Sequence, residues 1–213
     1  MDRILHEIAN RINSKDKKIV IGISGHGASG KTTFANQLMK LLGQSNVNYM
    51  NTDPYIVGSN LRKYTVIDYD YNNEKHHYKM TACHPAAHNI FALERDMNMI
   101  KDGLDFYSIG THFTESTLIS PRKKVSIVEG MSVAFINPNL FDLKIYLYTD
   151  GETEFTRRGI RDFSEKGKDI NDLIHSHDER RIQYQLFMHP YHRNFDIVLR
   201  NSNQDFFMEK GDY

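Results

Sequence analysis

A short glycine-rich loop joins a strand pattern to a helical pattern, and it constrains this fold more than any other feature. Before the loop, KKIVIGIS at residues 17–24 is apolar and β-branched, which is typical of a strand buried on both faces. After the loop, Lys31 to Leu42 follow helical spacing. Similar apolar runs, several of them separated by helical patterns, recur at VNYMNT, KVSIVEG, LKIYLYT and FDIVLR. This alternation predicts an α/β fold in which helices flank a mostly parallel sheet.

The loop, GHGASGKT at residues 25–32, matches the pattern G-x-x-x-x-G-K-[ST] at every fixed position. Glycines let backbone amides surround phosphate oxygens, and the helix that follows adds the positive end of its dipole. The residues predicted to bind the nucleotide are Gly25, Gly27, Ala28, Ser29, Gly30, Lys31, Thr32 and Thr33. An ordinary glycine-rich turn is the alternative interpretation, but the strand before the loop and the helix after it favour a P-loop NTPase fold.

The motif predicts ATP or GTP as the nucleotide, together with Mg²⁺. Lys31 would reach the β- and γ-phosphates, and the Thr32 hydroxyl would ligate the metal. A GTPase normally carries an Asn-Lys-x-Asp element for guanine, and no such string occurs. This absence weakens the GTPase interpretation. We expect ATP and Mg²⁺ as the cofactors, although the motif by itself does not separate a kinase from a switch or a motor.

Length, charge and cysteine content narrow the remaining classes. The 213 residues suffice for one domain, which we expect to span 1–213. Lys plus Arg equals Asp plus Glu at 27 each, so no overall positive field would attract nucleic acid or an anionic membrane. Cys83 is the only cysteine, which excludes an intramolecular disulfide, and no apolar run approaches the roughly 20 residues that span a bilayer. We expect a soluble, cytoplasmic protein.

Two carboxylates follow apolar runs in the way that ligand-binding residues follow parallel strands. Asp53 comes after VNYMNT and Glu129 ends KVSIVE, so both are expected at the sheet edge that carries the phosphate loop. Asp53 could accept a proton from an attacking hydroxyl or hold Mg²⁺, or it could only cap the turn before Pro54. Glu129 could support the metal together with Thr32, or it could simply be solvated.

Quoted in order, the motifs resemble the uridine kinase and phosphoribulokinase group of P-loop kinases, and uridine kinase most of all. They are the P-loop, TDPY, HPAAH, IVEGM, TDGETEFTRRGIRDFSEKGKD and HPYHRNFDIVLR. After the P-loop, the most specific match is to the arginine-rich lid pattern of the group. It falls on Arg157, Arg158, Arg161, Asp162, Glu165, Gly167 and Asp169.

Arginine spacing gives the predicted lid, residues 152–169, a physical rationale. Arg157 and Arg158 lie four and three residues before Arg161, so each shares a helix face with it. Such arginines can close over phosphates, exclude water and neutralise charge that develops during transfer. We expect Arg158 and Arg161 to be catalytic and Arg157 to bind the nucleotide. The alternative is a solvated basic face.

The resemblance also implies roles for residues outside the lid. Asp53 matches the catalytic aspartate, and Glu129 matches the acidic residue of the V-E-G element. Residues 54–113 correspond to an acceptor-binding insertion. The residues implied to bind the acceptor are Tyr55, His84, Tyr107 and His112.

The chain departs from the uridine kinase pattern mainly at positions where the pattern implies recognition of the acceptor. The departures are Ser108 for Asp, Thr114 for Arg, Cys83 for Asp, Glu154 for Arg and Ser176 for Gln. A buried site built for one hydrogen-bonding partner rejects analogues strongly, so these changes should alter or relax the choice of substrate.

The predicted acceptor is the 5′-hydroxyl of uridine or cytidine. Another hydroxyl compound, such as pantothenate, a sugar or a pentose phosphate, remains the alternative, as does a nucleotide-binding regulator without transfer activity. The resemblance also implies that the chain could form a homo-oligomer.

Replacing Asp53 with Asn should separate transfer from binding. Because the carboxylate would act on the acceptor hydroxyl and not on the nucleotide, turnover should fall by orders of magnitude while nucleotide affinity stays nearly unchanged. ADP release and a nucleotide titration measure the two quantities. Unchanged turnover would remove Asp53 from the mechanism.

Overall fold

The structure is a computed structural model that describes residues 1–112, 114–166, 170–202 and 205–211, without the side chains of 160–166, 170–173 and 205. Its strands are β1 (Ile19–Ser24), β2 (Val47–Asn51), β3 (Val66–Tyr71), β4 (Glu74–Lys79), β5 (Phe106–Tyr107), β6 (Leu118–Ile119), β7 (Val125–Glu129), β8 (Leu143–Tyr148), β9 (Ile197–Ser202) and β10 (Asp205–Gly211). Its helices are α1 (Asp2–Asn13), α2 (Lys31–Leu42), α3 (Ser59–Arg62), α4 (Ile90–Lys101), α5 (Gly151–Lys166) and α6 (Ile170–Gln183). Within these ranges, no helix has the length and apolar character that crossing a membrane requires.

Six strands form the central sheet in the order β10–β9–β8–β1–β7–β2. Strands β9, β8, β1, β7 and β2 pair in parallel, and β10 adds an antiparallel edge. Each apolar run singled out in the sequence forms one of the five parallel strands. The predicted α/β class with a mostly parallel sheet is confirmed.

Apolar side chains cover both faces of the sheet. On one face, α1 and α2 pack their buried residues against strands whose side chains are fully enclosed, with Phe34 and Leu38 of α2 beside Ile21 and Ile23 of β1. On the other face, a second cluster includes Leu93 and Met97 of α4 together with residues of β7 and β8. This double coverage explains why the parallel strands are apolar throughout.

The predicted insertion contains more regular structure than its weak periodicity indicated. Strands β3 and β4 form an antiparallel hairpin, and Asn72 and Asn73 turn it with φ angles of 52° and 66°. Asparagine tolerates this left-handed region, which two-residue hairpin turns require. The Asn-Asn pair was therefore the available sequence signal for the hairpin.

Buried polar contacts join the hairpin to α6. The Tyr69 hydroxyl of β3 donates to the Glu179 carboxylate, and the Gln183 amide donates to the Tyr69 hydroxyl at 3.0 Å. Gln183 also accepts the backbone N–H of Thr81 at 2.8 Å. Because Gln183 is fully buried, losing a partner would leave a desolvated amide, so these contacts fix the hairpin against α6.

Candidate active site

The loop between β1 and α2 has the backbone conformation that its glycines allow. Gly25 and Gly30 adopt φ angles of 140° and 93°, in a region that other residues rarely enter. A Cβ at Gly25 would also collide with the carbonyl oxygen of Leu147, and one at Gly30 would collide with the side chain of Asn201. Glycine is therefore required at both positions for the chain to turn toward α2.

Lys31 is the first residue of α2, and its side chain is largely enclosed. Its ammonium donates to the backbone carbonyl of His26 at 3.0 Å and lies 4.0 Å from a carboxylate oxygen of Glu129. The loop thus holds the cation at the N-terminus of α2. A phosphate at this position would meet both the ammonium and the positive end of the helix dipole.

Glu129, at the end of β7, gathers the oxygen donors expected around a metal. The Thr32 hydroxyl donates to one of its carboxylate oxygens at 3.1 Å, and the Tyr49 hydroxyl donates to the same oxygen at 2.8 Å. Burial, with the nearby Glu129 charge, raises the pKa of Tyr49, so its phenol stays protonated and remains a donor. Hydroxyl and carboxylate oxygens are the protein ligands that suit Mg²⁺, so these residues fit that ion.

Asp53 begins a short 3₁₀ turn, Asp53–Tyr55, two residues after β2. Its backbone N–H donates to the Asn51 side chain at 2.7 Å, which fixes the turn, while its own side chain is exposed. Asp53 lines the same cleft as Lys31 and Thr32. The structure therefore brings together the phosphate loop and the carboxylate that the sequence predicted beside it.

The cleft has a volume of about 600 Å³, within the range of small-molecule sites. The P-loop and Glu129 form one end, the turn at Asp53 and the β3–β4 hairpin form the walls, and α5 and α6 lie across them. Among the residues that the structure describes, the charged lining is strongly biased toward positive charge, and Asp53 and Glu129 are its two acids. The cations in the described lining are Lys31, Arg62, Lys63, Lys79, Arg158 and Arg180.

Two of the three predicted lid arginines contact the phosphate loop. The Arg158 guanidinium lies over Gly27, where a Cβ would collide with its Nη2. Arg157 donates to the backbone carbonyl of Ala28 and to the Asn201 side chain, each at 3.1 Å. Arg161 belongs to α5, but its side chain and residues 167–169 lie outside the described part of the chain.

Asn201 and Tyr49 belong to this site, and the sequence analysis missed both. Asn201 donates to the backbone carbonyl of Ser29 at 2.8 Å and accepts from Arg157, so it joins the loop to α5. It lies near the end of β9, and a polar side chain at the carboxyl end of a parallel strand was the available signal. Tyr49 carried no such signal, because its role depends on the pairing of β2 with β7.

The four predicted acceptor-binding residues do not line the cleft in this structure. Tyr55 is 2% exposed, and its hydroxyl donates to the buried carboxylate of Asp96. His84 packs edge-on to Phe187 and accepts the Ala86 N–H at 3.2 Å. Tyr107, on β5, is 70% exposed outside the cleft, and His112 is also exposed.

Other parts of residues 54–113 line the cleft. Its lining there, apart from the cations named above, includes Ile56, Ser59, Tyr78, Met80, Thr81 and Cys83. The hairpin and α3 therefore form the wall that the family pattern assigns to other residues.

Comparison with known proteins identifies the family. A family model described as "Phosphoribulokinase / Uridine kinase family" matches residues 20–205. The chain belongs to this family. It is a kinase, a phosphotransferase that acts on a hydroxyl group, and the resemblance stated from the sequence is confirmed.

Curated relatives extend over most of the chain. A uridine kinase of Lactobacillus helveticus is 27% identical over 202 residues, which are 89% of this chain and 90% of that enzyme. A uridine kinase of Macrococcus caseolyticus is 30% identical over 196 residues, which cover 84% of this chain and 82% of that enzyme.

Solved structures support the P-loop kinase fold. A phosphoribulokinase of Rhodobacter sphaeroides aligns with a TM-score of 0.63 at 15% identity, over 87% of this chain and 71% of that chain. A D-glycerate 3-kinase of Cryptococcus neoformans aligns with a TM-score of 0.56 at 12% identity, over 96% of this chain and 99% of that chain. At these identities the alignments show the fold.

Replacing Tyr55 with Phe distinguishes a structural residue from an acceptor ligand. The substitution removes a donor from buried Asp96, so the free energy of unfolding should fall by about 1–3 kcal/mol while the acceptor KM stays unchanged. Denaturant melts and steady-state kinetics measure the two effects. Tyr64→Phe, at a 78% exposed position, is the control and should change stability by less than about 0.5 kcal/mol. A raised acceptor KM at unchanged stability would assign Tyr55 to the acceptor site.

Proposed function

We propose that this kinase transfers the γ-phosphoryl group of ATP, with Mg²⁺, to the 5′-hydroxyl of uridine or cytidine. The observation that carries phosphoryl transfer is that Lys31 of the P-loop and the exposed Asp53 carboxylate line one cleft. The two curated relatives described above, both uridine kinases over more than four fifths of this chain, support a pyrimidine nucleoside as the acceptor.

In the proposed reaction, Asp53 acts as the base. The acceptor hydroxyl gives its proton to the Asp53 carboxylate while its oxygen forms a bond to the γ-phosphorus. The bond from that phosphorus to the bridging oxygen breaks, and ADP leaves with the electron pair. Lys31, Arg158 and the predicted Arg161 stabilise the charge that spreads over the transferred group.

Thr32 and Glu129, with Asp53 nearby, would hold Mg²⁺ at the phosphate end of the cleft. When bound, the ion neutralises charge on the β- and γ-phosphates. Arg157 and Asn201 donate to the backbone carbonyls of Ala28 and Ser29 in the loop and would orient the nucleotide.

Turnover across an acceptor panel tests the proposal. Uridine or cytidine should give strong ADP release with Mg²⁺ and ATP, above that with other nucleosides, pantothenate and pentose phosphates. The Lys31→Ala protein serves as the blank, because removing the ammonium removes a contact with the transferred phosphate. If ATP binds but no acceptor raises ADP release above the blank, the uridine assignment fails. The protein would then be a nucleotide-binding regulator or would use an acceptor outside the panel.

A specific observation favours a second candidate, an acceptor that carries a phosphate or carboxylate group. Arg62 is half-buried in the cleft wall and donates to the backbone carbonyls of Val57 at 2.7 Å and Met80 at 3.2 Å. Its contacts in the described structure are with carbonyl oxygens, and no carboxylate forms an ion pair with it there. The guanidinium is thus fixed in place with its charge available to a ligand.

Cys83 strengthens this second candidate. It lines the cleft where the uridine kinase pattern has Asp, and burial raises the pKa of its thiol to about 11, so it stays neutral. Because a neutral thiol stands where the pattern has a carboxylate, a negatively charged acceptor near Arg62 would meet less repulsion.

An Arg62→Met variant distinguishes the two acceptors. For an anionic acceptor, loss of a charge-assisted hydrogen bond should raise the KM at least ~10-fold. For uridine or cytidine, the KM should change less than about twofold, because a neutral nucleoside forms no ion pair with the guanidinium. Lys75→Gln, at an exposed position on the hairpin, is the matched loss of one positive charge. Equal KM values for the anionic acceptor with and without Arg62 would remove the second candidate.

A further inference from the structure

A buried carboxylate joins the base of the lid helix to the phosphate loop. Glu154, in the first turn of α5, is 1% exposed. One of its oxygens lies 2.8 Å from Nε of Arg158, and the other lies 3.0 Å from Nη1 of Arg181 on α6. The second oxygen is also 3.3 Å from Nδ1 of His26 in the loop. Three elements of the site therefore meet at one side chain.

His26 takes part as a neutral ring of defined tautomer. Its Nε2 accepts the backbone N–H of Thr149 at 3.0 Å, so the ring proton is on Nδ1. Burial lowers the pKa of His26, which keeps the ring neutral. Nδ1–H then faces the backbone carbonyl of Gly27 at 2.8 Å and the Glu154 carboxylate. The neutral ring therefore lies between the loop and Glu154 of α5 without adding a charge there.

Glu154 stays ionised in this environment. Burial alone would raise the pKa of Glu154, but the contact with His26 and the charges of Arg158 and Arg181 outweigh burial and hold it below its ordinary value. One carboxylate between two guanidinium groups leaves a net positive charge beside the loop. Arg181 is further fixed, since it donates to the Thr149 carbonyl at 3.2 Å and lies over the Tyr184 ring.

The two contacts of the Arg158 side chain, with Glu154 and with Gly27, lie at different ends of its guanidinium. Its Nε lies 2.8 Å from Glu154, one helical turn earlier, in an ion pair and not in an aligned hydrogen bond, while its Nη2 end lies over Gly27 at the cleft. Without Glu154, the Arg158 side chain would sample other rotamers, and its positive charge would lie farther from the phosphate loop on average. Glu154 occupies the position where the family pattern has arginine, so the partner is a feature of this chain.

We propose that Glu154 is a positioning residue that orients Arg158 over the phosphate loop and ties that orientation to α6 through Arg181. The proposal rests on the proposed function, because it takes Arg158 to act on the transferred phosphoryl group. Glu154 itself contacts protein groups and is not one of the residues that line the cleft.

A double-mutant cycle tests the proposal. Glu154→Gln should lower kcat roughly 10-fold in the presence of Arg158, but less than about twofold in an Arg158→Met background, because its effect passes through that arginine. Glu152→Gln, an exposed residue in the same helical turn, is the control and should leave kcat unchanged. Equal losses in both backgrounds would overturn the positioning role.

Stability must be separated from positioning, since removing one partner of a buried ion pair destabilises a protein. In Glu154→Gln/Arg181→Gln, one anion and one cation are lost together, so the charge balance beside the loop returns to that of the wild type. The thermal midpoint should recover toward the wild-type value while kcat stays low. Recovery of kcat together with the midpoint would show that Glu154 only stabilises the fold. If the single variant does not fold, this double variant takes its place in the cycle.

Failure of the proposed function can be distinguished from failure of this inference. If the wild type shows no acceptor-dependent turnover, the proposed function fails, and the cycle is then measured on the ATP dissociation constant by calorimetry without an acceptor. The same non-additivity between Glu154→Gln and Arg158→Met is expected there. Additive changes in ATP affinity would overturn the inference.

Discussion

The parallel register between β1, β7 and β2 determines where the chemistry can occur. Ile23 of β1 and Asn51 of β2 both lie opposite Glu129 of β7, so the three strands end together. The phosphate loop leaves the first strand at this edge and Asp53 follows the second, with Glu129 between them. The hydrogen bond from Thr32 to Glu129 then joins α2 to β7. A slip in this register would move Asp53 and Glu129 away from the phosphate loop.

Helix α6 links the two ends of that cleft. Glu179 and Gln183, four residues apart, share the face that binds the β3–β4 hairpin, whereas Arg181 projects from another face toward Glu154. The hairpin wall of the cleft and the first turn of α5 are therefore both attached to α6. Movement of α6 would therefore change the hairpin wall and the surroundings of Glu154 together.

Local signals explain which parts of this molecule the sequence predicted. The P-loop and the apolar strands were recognisable because their residues act through backbone conformation and uniform burial, which neighbouring residues determine. The enclosure of Tyr55 and the contact between His26 and Glu154 depend on residues that are distant in the chain. The sequence presented Tyr55 as an acceptor-binding residue and Glu154 as a departure from the family pattern. It did not show the partners, Asp96 and Arg181, that give these two residues their structural roles.

The difference between local signals and distant contacts also explains why the nucleotide is easier to infer from the sequence than the phosphate acceptor. Phosphates are held largely by main-chain amides and a helix terminus, so the loop keeps its chemistry when other side chains change. The end of the cleft proposed to hold the acceptor is lined by side chains from α3 and the hairpin, among them Arg62 and Tyr78, and by the neutral thiol of Cys83. Each substitution there changes charge or shape directly. Selection can thus alter the accepted molecule while the P-loop end of the cleft stays the same. For the proposed anionic acceptor, the positive charge of Arg62 is the feature that would favour it over a neutral one.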